Sequence, residues 1–239
     1  MNKFGIVIST YKRPDGKTPL FLNRCLNSIK EQTYQNYKVF LIGDKYEDNL
    51  EFEKFGIEII DKNKFYKQNL EFASERDNYS GNKDALWSYG GCYASEIGTT
   101  IALEDEDISY ICRLDHDDFW GPTHLENFNS LIELESADWM CSISTYLNST
   151  LPVLNSKLKY SVFYPKSSSC IKSSVCMNQR TIPLRLRDIF KETGKVGLPS
   201  DADLWERSNK YIKENNLKSI VINELTCFHD EEGYTKKIK

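Results

Sequence analysis

The chain of 239 residues lacks any apolar run long enough to cross a bilayer. Its first ten residues, MNKFGIVIST, hold an apolar stretch too brief for the core of a secretory signal. No transmembrane anchor is expected, and a cytoplasmic location is. Basic excess is missing as well: 31 Lys and Arg face 35 Asp and Glu, a formal charge of −4. No broad positive field exists to attract a phosphate polymer, which argues against nucleic acid as a partner. The short basic tail TKKIK at 235–239 reads as a solvated terminus and leaves a peripheral membrane contact open. Seven cysteines form no C-x-x-C pair and no zinc-like spacing, so a disulfide framework is not expected and a reducing compartment is. Gly-rich phosphate loops of the G-x-G-x-x-G or Walker type are absent, as are internal repeats and low-complexity segments.

What is present is the composition of a globular domain. Hydrophobic residues make up 40% and aromatic residues 13%, enough to build one substantial core at this length. Short apolar runs at 4–9, 39–42, 57–60 and 108–114 read as buried strands. Helical spacing of Leu22, Cys25, Leu26 and Ile29 predicts a helix over 19–31, with Pro19 near its start. Apolar positions from Ala85 to Ile97 predict another over 82–97, weakened by Gly90 and Gly91, and the spacing of Leu125, Phe128, Leu131 and Leu134 predicts one over 122–134. The acidic stretch up to Phe55 is a further helix candidate, and strands are expected near 139–144, 158–163 and 220–222. Ser200 and Asp203 have the spacing of a capping box at a helix start.

Strands alternating with helices predict an α/β fold with a mixed, mostly parallel sheet flanked by helices. In such sheets ligands bind beyond the carboxyl ends of the strands. Three polar clusters lie at those ends: STYKR at 9–13, Gly43 with Asp44, and Asp115, His116, Asp117 and Asp118.

The stretch ICRLDHDDFW at 111–120 sets three carboxylates directly after a buried strand. On an extended chain Asp115 and Asp117 share one face while His116 and Asp118 take the other. Two carboxylates on one face repel unless a hard divalent cation lies between them, which makes Mg2+ or Mn2+ the natural ligand. The plain alternative is a solvated turn, with Asp118 capping the helix near Pro122. A calcium loop is excluded because Phe119 and Trp120 occupy its fifth and sixth positions. Only three histidines exist; His124 falls on a helix and reads as a surface or satisfied residue, whereas His229 stands at a strand-to-turn boundary.

These stretches together resemble the GT-A fold glycosyltransferases, specifically the family 2 enzymes, most of which invert. The resemblance rests on VISTYKRP at 7–14, IGD at 42–44, RDN at 76–78, LDHDDFW at 114–120 and SDADLWER at 200–207, in the family's order over most of the chain. It implies one GT-A domain over 1–239, with 1–118 binding a nucleotide-sugar and 119–239 binding the acceptor. By the same resemblance Thr10, Tyr11, Arg13, Asp44, Arg76, Asp115 and His116 would contact the nucleotide-sugar, a UDP-sugar being favoured. Asp117 and His229 would hold Mn2+ or Mg2+, Asp201 would be the general base, and Arg207 matches a basic residue one turn later. Gly43 and Ser200 depart from the family pattern, which has acids at both places, and no Q-x-x-R-W motif marks a processive synthase.

The reaction so implied is an inverting, metal-dependent transfer of a sugar to a hydroxyl of a glycan, lipid-linked or other acceptor. A non-catalytic carbohydrate- or nucleotide-binding module of the same fold, a nucleotidyltransferase and a glycoside hydrolase are the competing readings. For Trp120 and Trp205 core packing is favoured over sugar stacking. For Arg180, Arg185 and Arg187 a solvated face is favoured over recognition of an anionic acceptor.

Overall fold

A computed structural model describes residues 2–44, 46, 65–70, 79, 81–154 and 157–230, with backbone only for 65–70. The expected strand at 57–60, the helix candidate up to Phe55, Arg76 with its RDN stretch and the basic tail all lie outside the described residues.

Strand β1 (Lys3–Thr10) pairs in parallel with β2 (Tyr37–Asp44) on one side and β4 (Ile108–Asp115) on the other, and β2 in turn pairs in parallel with β3 (Phe65–Leu70). Beyond β4 come β9 (Val175–Asn178), β6 (Trp139–Tyr146) and β10 (Ser219–Phe228). Because β9 is antiparallel to both β4 and β6, and β10 is parallel to β6, the strands β2, β1, β4, β6 and β10 all point the same way. Short antiparallel pieces β5 (Phe119–Trp120), β7 (Ser149–Leu151) and β8 (Tyr160–Val162) decorate β10 and β6. The sheet is mixed, with its longest registers parallel.

Alternation along β1 assigns its two faces. Phe4, Ile6 and Ile8 join Leu22, Cys25 and Leu26 of α1 (Thr18–Lys30) and Leu125 and Phe128 of α4 (His124–Glu135) in one core layer. Val7 points to the opposite face, where α3 (Cys92–Ala102) packs. On that face α6 (Ser200–Glu214) sets Leu204, Trp205 and Ile212 against Trp139, Met177 and Val221. Each fully buried Leu, Ile or Phe contributes about 1.5–3 kcal/mol of hydrophobic free energy, so both layers are needed to hold the sheet between helices.

The helix expected over 82–97 is two helices, α2 (Lys83–Tyr89) and α3, divided at the glycine pair. Gly91 has φ 82°, a conformation that side-chain-bearing residues rarely adopt, so it turns the chain between them. Gly98 explains how closely α3 sits: an added Cβ would lie 2.6 Å from Val7 Cγ1 and 2.9 Å from Ile42 Cγ1. The expected capping box also does not form. Pro199 occupies the cap position of α6, and Asp203 instead receives Arg187 at 2.7 and 2.8 Å and Arg207 at 2.7 Å. A short helix, α5 (Ile189–Thr193), precedes α6. Among the described residues no helix is long and apolar enough to cross a membrane.

Candidate active site

With six strands aligned, β3 included, their carboxyl ends share one edge of the sheet. The register sets Ser9 beside Asp115 and Thr10 beside Gly43, so Thr10, Asp44 and Asp115 meet across β1, β2 and β4. β10 ends one residue before His229, and the first turn of α6 presents Asp201. A cleft of about 570 Å3 at this edge is lined by Thr10, Tyr11, Asp44, all four residues 115–118, Asp201 and His229.

Within the acidic stretch burial alternates as an extended chain requires: Asp115 and Asp117 are partly exposed, and His116 and Asp118 are buried. Asp118 does not cap a helix. Its carboxylate accepts hydrogen bonds from Ser173 Oγ at 2.5 Å, from His229 Nδ1 at 2.8 Å and from the Asp230 amide at 3.2 Å. It therefore ties the end of β10 to the acidic turn. His116 sits edge-on to the Tyr11 ring, centroids 5.1 Å apart.

Asp117 stands in a different environment. Burial, reinforced by the charges of Asp118 and Asp115, pushes its carboxyl up to about 7, with His229 and Arg13 pulling the other way. Arg13 reaches Asp117 at 3.1 Å, is clamped by Asp15 at 3.0 and 3.1 Å, and lies over the Phe21 ring. Its hydrogen bond with Asp15 holds that acid down at about 2. Arg13 is buried and is not among the residues lining the cleft, so it supports Asp117 from behind. Arg24 does likewise, donating to the Asp117 carbonyl at 2.6 Å and pairing with Asp230.

On the far wall the 3-10 turn Lys172–Ser174 clips onto the acidic stretch. Lys172 Nζ pairs with Asp115 Oδ1 at 2.5 Å, and Ser173 Oγ accepts the Asp115 amide at 3.0 Å. Burial alone would lower the Lys172 pKa, but the charge and hydrogen bond of Asp115, helped by the charge of Asp201, raise it. The Asp201 carboxyl is raised by burial, against the pull of Lys172. A carboxyl raised in this way holds a proton more readily than a free aspartate does.

Among the described residues no three His, Cys, Asp or Glu side chains converge tightly enough to hold a metal by themselves. The donors present still suit a divalent cation whose other ligands come from a bound anion. Asp117 carries negative charge that its surroundings undercompensate, and His229 has its Nδ1 fixed by a carboxylate, the arrangement that orients a metal-binding imidazole.

Arg207 and the three arginines near 180 turn away from the cleft. Arg207 binds Asp203 and the Arg185 carbonyl, Arg180 donates to the carbonyls of Leu103, Asp105 and Ile108, Arg185 meets Gln179 and Glu96, and Arg187 meets Asp203. Trp120 and Trp205 are core residues. Sequence reasoning missed Arg24, Lys172 and Ser173, since an arginine on a helix and a Ser-rich turn carry no periodic signal.

No protein-family model matches the chain. It is 37% identical over 247 residues to the uncharacterized glycosyltransferase R139 of Acanthamoeba polyphaga mimivirus, covering 98% of this chain and 96% of the relative. Among solved structures, S. aureus TarS 1-349 in complex with UDP is similar with a TM-score of 0.65 at 13% identity, over 95% of this chain and 60% of that one. Its complex with UDP-GlcNAc gives 0.66 at 13% identity, over 99% and 61%. The mannosyltransferase PcManGT from Pyrobaculum calidifontis, in complex with GDP-Man and Mn2+, gives 0.59 at 12% identity, over 98% and 59%. This chain thus spans less than two thirds of those structures, and at such identities the likeness is one of fold.

Proposed function

The chain belongs to the glycosyltransferases, and we propose that it is a family 2-like, metal-dependent, inverting enzyme that moves a sugar from a nucleotide-sugar, a UDP-sugar above all, to an acceptor hydroxyl. The observation that carries this reading is the meeting of Asp115, Asp117, His229 and Asp201 in one cleft with Thr10 and Asp44. UDP, UDP-GlcNAc and GDP-Man with Mn2+ are the ligands of the similarly folded proteins, which supports a sugar nucleotide as donor.

In this reading 1–118 is the donor half and 119–239 the acceptor half. Thr10, Tyr11, Asp44 and Arg76 hold the nucleotide, His116 backs Tyr11, and Asp115 faces the ribose. Arg13 acts through Asp117 without touching the donor. Asp117 and His229 would hold Mn2+ or Mg2+, which supplies Lewis-acid charge to the diphosphate. The Asp201 carboxylate takes the proton of the acceptor hydroxyl. The acceptor's hydroxyl oxygen then forms a bond to the anomeric carbon from the face opposite the diphosphate, the carbon–oxygen bond to the diphosphate breaks, and the electron pair leaves with the nucleotide. General base help of this kind is worth roughly 10²–10⁴-fold.

Nucleotide release from a panel of UDP-sugars, in the presence of Mn2+ and mixed glycan acceptors, tests the reading. Asp201→Asn should lose transfer by about that factor while binding UDP as the parent does. Undiminished transfer by Asp201→Asn would remove that residue as the base, and hydrolysis of a glycan without any nucleotide-sugar would remove the reaction class.

A further inference from the structure

Trp87 projects from α2 into water, 53% exposed, on the wall of the same cleft that holds Asp201. The chain has four tryptophans, and Trp120, Trp139 and Trp205 are all buried. A large aromatic face left in water forgoes hydrophobic stabilisation, so its place on a functional cleft calls for a ligand that covers it. The helix beneath it is firmly held. Tyr89 Oη accepts the Gly197 amide at 2.8 Å, and Tyr79, Ala85 and Tyr89 pack against Ile189 and Phe190. Gly197 stands four residues before Asp201, so the platform and the carboxylate are fastened to one segment.

The wall of the cleft also carries apolar and hydroxyl-bearing residues. Leu86, half-exposed Leu198 and Pro199 lie on the wall with Trp87, and Ser167, Ser168 and Ser200 add hydroxyls. Lys172 is the lysine or arginine on the wall among the described residues, and Asp115 already neutralises it.

We infer that Trp87 is the platform of the acceptor subsite, and that the acceptor presents an uncharged pyranose ring. The C–H face of the pyranose lies on the indole, its edge hydroxyls reach the serines, and one hydroxyl is left toward Asp201. This rests on the glycosyl transfer proposed above and deepens it by naming the acceptor class.

Because the other tryptophans are buried, acrylamide quenching of intrinsic fluorescence reports chiefly on Trp87. The full chain, loaded with UDP and Mn2+, is titrated with methyl glycosides of glucose, galactose, mannose and N-acetylglucosamine, and with glucose 6-phosphate. At least one methyl glycoside should shield Trp87, and shield it better than the sugar phosphate. Calorimetry should then show that glycoside bound about tenfold more weakly by Trp87→Ala, partly recovered in Trp87→Phe, with UDP affinity unchanged. Shielding by UDP alone would assign the ring to the base and overturn the inference, as would stronger shielding by the sugar phosphate. No shielding by any glycoside in protein that binds UDP would remove the platform and leave the donor reading standing. Shielding by a glycoside in protein that does not bind UDP would sustain the platform and remove the donor reading.

Discussion

Asp118 holds the His229 imidazole at 2.8 Å, and although burial pulls that ring's pKa down, the carboxylate's hydrogen bond and charge lift it to about 9. His124 has the reverse environment. It is fully buried between Trp120 and Phe128, with Thr226 Oγ1 at 2.8 Å from Nδ1, and burial pushes it down to about 3. The two therefore bound stability from opposite sides. In the metal-free chain His229 binds its proton more tightly folded than unfolded, so its contribution there is complete below the ordinary histidine pKa of about 6.5 and is lost as pH rises through 9, and a bound cation would displace that proton. His124 stays neutral when folded, so its contribution is complete above about 6.5 and is lost as pH falls toward 3. Urea titrations across pH should show a flattened alkaline limb in His229→Gln, and a flattened acid limb in His124→Phe. An unchanged alkaline limb in His229→Gln would contradict the ion pair with Asp118. Neither environment was legible from single residues: His124 looked like a surface or satisfied histidine, and only the tertiary fold shows that it is enclosed.

At the scale of elements, β1, β2 and β4 were legible because they are short apolar runs bounded by polar turns, whereas the mostly polar FYKQNL of β3 carried no such signal. β1, β2 and β4 fall where those runs do, and α1 and α4 follow their helical spacing. Since these elements carry Thr10, Asp44 and residues 115–118, that edge of the candidate site could be read from sequence. The other wall could not. β9 is four residues long and the Lys172–Ser174 turn three, too short for any periodicity, and their value comes from partners far away in sequence. That turn is predicted to be mechanically important. Ser173→Ala removes a donor from buried Asp118 and an acceptor from the Asp115 amide, and should cost about 1–3 kcal/mol in chemical denaturation. Gly98→Ala should cost a similar amount, about 1–3 kcal/mol, because its methyl must displace Val7 or Ile42 under α3. A neutral outcome for Gly98→Ala would mean that α3 can lift from the sheet.

For the whole molecule, parallel alignment gathers residues from opposite ends of the chain onto one edge, where His229 meets Asp118 across 111 positions. Fold likeness gives the chain the architecture of TarS, while the order of its polar clusters is what a sequence reading could supply unaided. The central claim is that the acidic cluster takes up a sugar nucleotide together with a divalent cation. Titration calorimetry of UDP into the parent chain and into Asp117→Ala, each with and without Mn2+, tests it most directly. The account predicts that Mn2+ strengthens UDP binding to the parent by at least about tenfold and leaves Asp117→Ala unaffected. Equal UDP affinity with and without Mn2+ in the parent, or an undiminished Mn2+ effect in Asp117→Ala, would contradict it.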